Sequence, residues 1–350
     1  MSPDFSRPVT RRAWIRRLFA APDESRWEEM ARELFAWQYT RVAAYRRLCS
    51  GHGVSPRSLG SWRDIPAAPQ QLFKRTRLFA HGSRRPGIVY ETSGTTTGEP
   101  GRQFLWRDDI YKAVSVAGAR HAGFLDDKVE FHFLAPPPAQ APHSSLSAMF
   151  EFWRGDFYVK GDAFEFDRLR AALEKAVRTR RAVALCGTAF SFVFLLQAWA
   201  NRSRLRLPSG SRVLETGGFK GRTREVPKAE LYAAVGKLLG VPNRAIWNEY
   251  GMSELSSQAY AHGTTGLHHA PPWARVVVCD PATGREVAPG RRGLVRWYDL
   301  ANVDSVFALQ TLDLAERTPE GFRLIGRLAR TEPRGCSLGA EDMLAATENR

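Results

Sequence analysis

Between residues 23 and 50, Trp27, Met30, Ala31, Leu34, Gln38, Val42, Tyr45 and Leu48 recur at helical spacing. The pattern predicts one long helix that buries this stripe and ends at the turn Gly51-His52-Gly53. Residues 1–22 before it read as a basic, weakly amphipathic lead-in, and 65–69 as an extended connector followed by a short helix over 70–79. The pattern then changes. Apolar runs at 87–90, 131–135, 182–186, 212–215 and 245–247 read as strands, with helical periodicity at 108–123, 166–178, 190–199 and 226–239. Strands alternating with helices predict an α/β sheet with a parallel portion, whose ligands bind beyond the carboxyl ends of its strands. After Pro272 the runs 274–279, 293–298 and 303–309 are short and β-like, with Asp280-Pro281-Ala282-Thr283-Gly284 as a hairpin turn.

The 350 residues suffice for one large domain or two smaller ones, and 43% hydrophobic with 25% charged residues is the balance of a soluble globular chain. No run reaches the roughly 18 apolar residues of a membrane span, and no apolar signal core follows the basic start, so a cytoplasmic location is expected. The net charge of +15 is spread along the chain and accompanies no nucleic-acid-binding signature, which makes nucleic acid an unlikely partner. Such a surface attracts ATP, acidic proteins and anionic substrates equally well. Cys49, Cys186, Cys279 and Cys336 form no Cys-x-x-Cys pair, and the eight histidines, His268-His269 included, show no metal-ligand spacing. Cys186 lies within an apolar run and reads as core.

Two stretches carry candidate chemistry. The first is the loop Ser93-Gly94-Thr95-Thr96-Thr97-Gly98 after the run ending at Tyr90. Glycines let successive N–H groups turn toward one anion, and small hydroxyls add donors without bulk, so the composition suits phosphate or a plain flexible turn. No Gly-Lys-Ser/Thr ending follows, which excludes a Walker loop. The second is Trp247-Asn248-Glu249-Tyr250-Gly251-Met252-Ser253-Glu254-Leu255. Together they resemble the phosphate loop and the Tyr-Gly-x-Thr/Ser-Glu motif of adenylate-forming enzymes, which activate carboxylates with ATP. Further matches lie in order at Ile65-Pro66, Phe73-Lys74, Ser144-Ser145-Leu146-Ser147, Thr216-Gly217-Gly218-Phe219-Lys220, Asp313, Gly326-Arg327 and Arg334-Gly335-Cys336-Ser337-Leu338. With these the chain resembles the acyl-protein synthetase (LuxE-like) branch, best known from the fatty-acid reductase of bacterial luminescence.

The resemblance implies a fold: a large α/β adenylation domain with parallel-containing sheets flanked by helices, a small β subdomain, and a C-terminal domain largely absent. The corresponding boundaries are a helical region at 1–85, the core at 86–272, the β subdomain at 273–325 and a short tail at 326–350. It also implies roles. The Ser93–Gly98 loop grips the ATP phosphates, with Arg102 standing near the position where the superfamily has a lysine. Gly217 and Gly218 pass along the adenine, Tyr250 and Gly251 belong to the adenine-stacking turn, and Ser253 bonds the α-phosphate. Glu254 holds Mg²⁺, and Asp313 accepts the ribose hydroxyls. Only 24 residues follow Gly326, too few for a separate domain bringing a catalytic lysine. Lys220 or Arg327 is expected to substitute, unless a partner contributes or the chain is truncated. Cys336, beside Arg334, is expected to take the acyl group as a thioester and pass it to a partner reductase or carrier protein. The aromatic run Phe150, Phe152, Trp153, Phe157 and Tyr158 lines an acyl pocket or, more simply, packs the core. Two alternatives stand beside acyl-protein synthesis. One is an acyl-CoA ligase of the phenylacetate type. The other is a non-catalytic basic nucleic-acid-binding or scaffold protein on a decayed ligase fold.

Overall fold

The computed structural model describes residues 3–92, 100–217 and 226–328. Within them the α/β reading is realised as a six-stranded sheet in the order Ala259–His262, Ile246–Tyr250, Arg212–Thr216, Val183–Thr188, Glu130–Leu134, Asp156–Phe157. Neighbours are parallel except Ile246–Tyr250 with Ala259–His262. Strand alternation divides the core in two. Val183, Leu185, Val213 and Ile246 pack against Leu169 and Leu173, Phe192 and Leu195, and Leu231 and Val235. Those six come from the helices Phe166–Thr179, Ala189–Ala198 and Lys228–Leu239. The intervening residues Ala184, Cys186, Leu214 and Trp247 face an aromatic layer with Tyr111, Phe150 and Trp153, from the helices Asp109–His121 and Ser145–Trp153. Phe150 and Trp153 are therefore core residues, as is Cys186, whose thiol burial pushes well above its ordinary range.

The second sheet is antiparallel in the order Leu267–His268, Phe322–Arg327, Ala308–Arg317, Arg292–Asp299, Ala274–Cys279, with Ala68–Pro69 added in parallel against Ala308–Arg317. The N-terminal helices cover it through Trp14, Trp27, Trp37, Tyr45 and Trp62, which cluster with Val295, Trp297, Tyr298 and Phe307. The expected long helix is two, Glu24–Arg41 and Ala43–Gly51, because Val42 at φ −100°, ψ 94° caps the end of one and the start of the next. Both halves bury their stripe in the same cluster, so the apolar spacing runs across a bend it cannot register. The helix expected over 70–79 is only Leu72–Arg75. The run 303–309 is not one strand: the preceding strand ends at Asp299, the next begins at Ala308, and 300–307 is a buried irregular segment whose apolar composition reflects enclosure on all sides.

The lead-in also departs from expectation. Pro8–Phe19 is a helix, and its Arg11 is fully buried. Its Nη1 and Nη2 donate to the two carboxylate oxygens of Asp304 at 2.7 and 3.1 Å, and its Nε to Asp109 Oδ1 at 2.7 Å. His81 Nε2 lies 2.7 Å from Asp304 Oδ1, and the Trp106 N–H donates to Asp304 Oδ2 at 3.1 Å. Burial alone would raise the Asp304 carboxyl, but the His81 hydrogen bond and the Arg11 guanidinium hold it below its usual value. Removing one partner of a buried ion pair typically costs about 3–5 kcal/mol, so Arg11→Met is expected to lose that much in urea unfolding. A loss under about 1 kcal/mol, the range of an exposed pair, would show the network to be dispensable. A depressed folded value contributes stability that is complete above the unfolded carboxylate value, about 3.9, and is lost as pH falls through the folded one. The melting temperature should therefore drop below about pH 4, with a shallower slope in Asp304→Asn.

Candidate active site

The strand Ile246–Tyr250 delivers the second motif at its carboxyl end. The chain leaves it through Gly251, where a Cβ would lie 2.3 Å from Glu249 Oε1, so a larger residue would require the Glu249 carboxylate to move. Tyr250 packs its ring near Trp297 and Phe322, and its hydroxyl donates to Asp313 Oδ2 at 2.8 Å. Burial, then the Asp313 charge, raises the phenol well above its ordinary range. Asp313 pairs in register with Arg327 on the adjacent strand, and Arg327 Nε stands 3.8 Å from Asp313 Oδ1. Arg327 Nη2 donates to Gln70 Oε1 at 2.7 Å, and Gln70 Nε2 donates to Glu254 Oε1 at 2.9 Å. Tyr250, Asp313, Arg327 and Glu254, singled out from motifs far apart in sequence, thus form one chain of contacts. Gln70 closes it and was not anticipated. Its sequence context, a Pro-Gln-Gln-Leu-Phe connector, carries no signal of polar chemistry.

Ser253 lies at the meeting point of the two motifs. Its Oγ donates to the Glu91 carbonyl at 3.1 Å and stands 3.5 Å from Ser145 Oγ. Ser144 caps the helix carrying Ser145, accepting the Ser147 N–H. The roots of the first loop are fixed here: Thr92 N donates to Gly101 O at 2.9 Å, and Gly101 N to Thr92 Oγ1 at 2.8 Å. A Cβ on Gly101 would lie 3.4 Å from Glu254 Oε1, so the loop starts and ends beside the Glu254 carboxylate. The strands on either side, Ile88–Glu91 and Arg102–Leu105, form a separate antiparallel hairpin, and Arg102 Nε donates to Glu91 Oε1 at 3.1 Å. Ser93, Gly94, Thr95, Thr96, Thr97 and Gly98, together with Gly218, Lys220 and Cys336, lie outside the described residues. Gly217 adopts φ +67°, a left-handed turn that favours glycine.

Buried side chains hold this turn in place. Asn302 Nδ2 donates to the Glu254 carbonyl at 2.9 Å. Asp299 Oδ2 accepts the N–H groups of Ser256 and Ser257 at 2.9 and 2.8 Å, and its Oδ1 accepts the Ser257 hydroxyl at 2.6 Å. At the ends of the neighbouring strands, Glu215 Oε2 accepts from Tyr232 Oη at 2.9 Å and Asn248 Nδ2 at 2.6 Å. Asn248 Oδ1 in turn accepts from Lys228 Nζ at 2.9 Å and lies 2.8 Å from His268 Nε2. Glu215, Lys228 and Asn248 were also unanticipated as a cluster, because the register of two parallel strands and the start of the helix Lys228–Leu239 bring them together.

The donor set fits a phosphate-bound divalent cation. Glu254 is 1% exposed, and its Oε2 is buried without a hydrogen-bond partner among the described residues. Burial raises its carboxyl, against the Gln70 hydrogen bond and the Arg327 charge. Among the described residues no three His, Cys, Asp or Glu side chains converge as a metal cage. One carboxylate oxygen completed by phosphate and water is the arrangement Mg²⁺ favours.

Similarity to known proteins agrees with this geometry. The family model "Acyl-protein synthetase, LuxE" matches residues 26–345. A long-chain-fatty-acid–luciferin-component ligase of Aliivibrio fischeri is 22% identical over 337 residues, covering 91% of this chain and 88% of that protein. An open conformation of 2-hydroxyisobutyryl-CoA ligase, solved with 2-HIB-AMP and CoA, superimposes with a TM-score of 0.65 at 18% identity, over 88% of this chain and 77% of that one. ATP-bound MatB from Rhodopseudomonas palustris gives a TM-score of 0.51 at 19% identity, over 71% of this chain and 49% of that one. These two structures establish the fold as that of adenylate-forming ligases. No helix among the described residues is long and apolar enough to cross a membrane. With the family match spanning most of its length and the Tyr250–Glu254 turn intact at the end of a parallel strand, the chain belongs to the LuxE acyl-protein synthetase family and is a ligase enzyme.

Proposed function

We propose that this enzyme uses ATP and Mg²⁺ to convert a carboxylic acid to an acyl-adenylate with release of pyrophosphate, and then transfers the acyl group to Cys336 or a partner protein. The observation that carries the reading is the convergence of Tyr250, Ser253, Glu254, Asp313 and Arg327 beside the roots of the 93–99 loop. In this reading the loop's N–H and hydroxyl groups, from Ser93 to Gly98, hold the phosphates. The Tyr250 ring and the Gly217–Gly218 turn bracket the adenine. Asp313 offers its oxygens to the ribose diol, since one carboxylate can accept two hydrogen bonds. Ser253 donates to the α-phosphate, and Glu254 would hold Mg²⁺, which supplies positive charge to the phosphates. Arg327, already between Asp313 and Gln70, provides a cation at the described site. Lys220 is the second candidate for that charge.

In the second half-reaction the Cys336 thiolate attacks the acyl carbon. A carbon–sulfur bond forms, the carbon–oxygen bond to phosphate breaks, and AMP departs with the electron pair. The Aliivibrio fischeri relative is named for a fatty-acid substrate and a luciferin component. By analogy, a fatty or other acyl acid and a partner reductase or carrier protein are the substrate and acceptor proposed here, with a cytoplasmic location.

The test is Mg-ATP-dependent pyrophosphate release against a panel of fatty, aromatic, hydroxy and amino acids, with coenzyme A as an alternative acceptor. Glu254→Ala should lower kcat/KM by about 100-fold or more, the scale on which a lost electrostatic contact is felt. Cys336→Ser should keep the release but lose protein-bound acyl. No release with any acid, or full activity in Glu254→Ala, would sink the reading. CoA-dependent turnover without an acyl-protein would replace the acceptor by CoA.

Gln70→Leu removes the link between Glu254 and Arg327 while keeping the side-chain volume. Loss of an orienting partner behind a metal ligand costs about 10–100-fold in metal affinity. The Mg²⁺ concentration giving half-maximal rate should rise at least tenfold at saturating ATP, with a cooperative melt retained. An unchanged Mg²⁺ requirement would show that Gln70 does not orient Glu254.

A further inference from the structure

Among the described residues, Glu249 is an acid on the aromatic face of the central sheet. Trp247 and Glu249 alternate onto the side of Tyr111, Met149, Phe150 and Trp153. The register places Glu249 opposite Tyr260 on the antiparallel neighbour and opposite Thr216 on the parallel one. Glu249 is 5% exposed and its Oε2 accepts the Thr216 hydroxyl. Its Oε1 lies 2.3 Å from the point where a Cβ on Gly251 would stand, and Gln258 Cγ lies 3.1 Å from that same point. The two side chains therefore meet where the chain turns toward Ser253. Next to them the Tyr260 hydroxyl and Gln258 Oε1 are both buried without a hydrogen-bond partner among the described residues.

An acid in an aromatic layer is costly unless something pairs with it. Burial raises the Glu249 carboxyl to about 7, against the Thr216 hydrogen bond, and the nearby Glu215 charge adds to the rise. Two orphan oxygens beside it lose the hydrogen bonds that water would have given them. A ligand that donates hydrogen bonds would recover those terms, whereas a plain alkyl chain would leave them unmet. The location fixes which part of a ligand is concerned. The Tyr111 hydroxyl donates to the Ser145 carbonyl, and Ser145 Oγ faces Ser253 Oγ, the group assigned to the α-phosphate. The wall bearing Glu249 thus adjoins the reacting carboxylate rather than the far end of an acyl chain.

We propose that Glu249, with Gln258 and Tyr260, determines acid specificity by selecting a carboxylic acid that carries a hydroxyl or amino group within a few carbons of its carboxylate, over the unsubstituted alkanoic acid. The inference rests on the acid-activation reading and narrows its substrate class.

The experiment compares pyrophosphate release by the full chain with butanoate, hexanoate and decanoate against their 2-hydroxy, 3-hydroxy and 2-amino counterparts at saturating Mg-ATP. At least one substituted series should exceed its parent acids by tenfold or more in kcat/KM, and the better series identifies the donor as hydroxyl or amine. Glu249→Gln and Tyr260→Phe should each shrink that ratio at least fivefold. Tyr260→Phe removes a single oxygen, so the ratio is measurable even if Glu249→Gln folds poorly. Release that favours the unsubstituted acids leaves activation standing and overturns this inference alone, as does a ratio unmoved by Tyr260→Phe. Release with none of the acids, here or in the wider panel, overturns activation itself and this inference with it.

Discussion

A buried stretch of seven residues, 299–305, is the constraint on which the rest of the structure depends. It belongs to no strand beyond Asp299, and its polar side chains reach several segments far apart in the chain. Asp299 takes the Ser256 and Ser257 N–H groups, Asn302 takes the Glu254 carbonyl, Asp304 binds Arg11, His81 and the Trp106 N–H, and Ser305 donates to the Leu78 carbonyl. The backbone is used as well: the Asn302 carbonyl accepts Gln38 Nε2 at 2.8 Å, and the Leu300 carbonyl accepts Trp14 Nε1 at 2.8 Å. Irregular backbone can be buried only when its polar groups are paired. Here the partners come from the N-terminal helices, the 78–81 turn, the hairpin and the motif turn. Satisfying one segment fixes the other three relative to the Tyr250–Glu254 turn.

That arrangement explains how two carboxylates can sit close together in a largely buried site. Asp313 and Glu254 repel each other, and the Asp313 charge adds to burial in raising the cost of ionising Glu254. Arg327 stands between them, 3.8 Å from Asp313 and joined to Glu254 only through the Gln70 amide. An amide donates at one end and accepts at the other, so it transmits orientation without adding charge. Glu254 keeps one oxygen free as a result, whereas direct pairing with Arg327 would have occupied it.

Most of this was legible in the sequence where chemistry and local pattern coincide. The strand–helix alternation gave the parallel sheet, and Tyr250, Glu254, Asp313 and Arg327 could be named from short motifs and now share one network. The failures are physical in kind. Val42 bends a helix without disturbing its apolar stripe. Residues 303–307 look like a strand because enclosure on every side selects the same residues that a buried strand selects. Arg11 looks like one more charge in a basic lead-in, since its partners Asp109 and Asp304 are about 100 and 300 residues away in the chain. Gln70 and Glu249 were passed over because an uncharged amide in a connector and an acid in a strand take their meaning only from what faces them.

The two buried glutamates at the ends of adjacent strands make that last point concrete. Glu215 and Glu249 are close enough for their charges to interact, yet alternation sends them to opposite faces of the sheet. On its face Glu215 has Lys228 at 3.8 Å and accepts hydrogen bonds from Tyr232 and Asn248 at Oε2, while its Oε1 is buried without a partner among the described residues, so a nearby cation answers its charge. On the other face Glu249 has the Thr216 hydroxyl, an aromatic layer, and two neighbours with orphan oxygens. A fold that needed only a filled apolar wall there would gain by a hydrophobic residue of similar volume, since replacing buried polar groups with packed apolar ones is commonly neutral or stabilising. On the proposed reading, Glu249 and the two orphan oxygens beside it are half of an interaction whose other half arrives with the substrate.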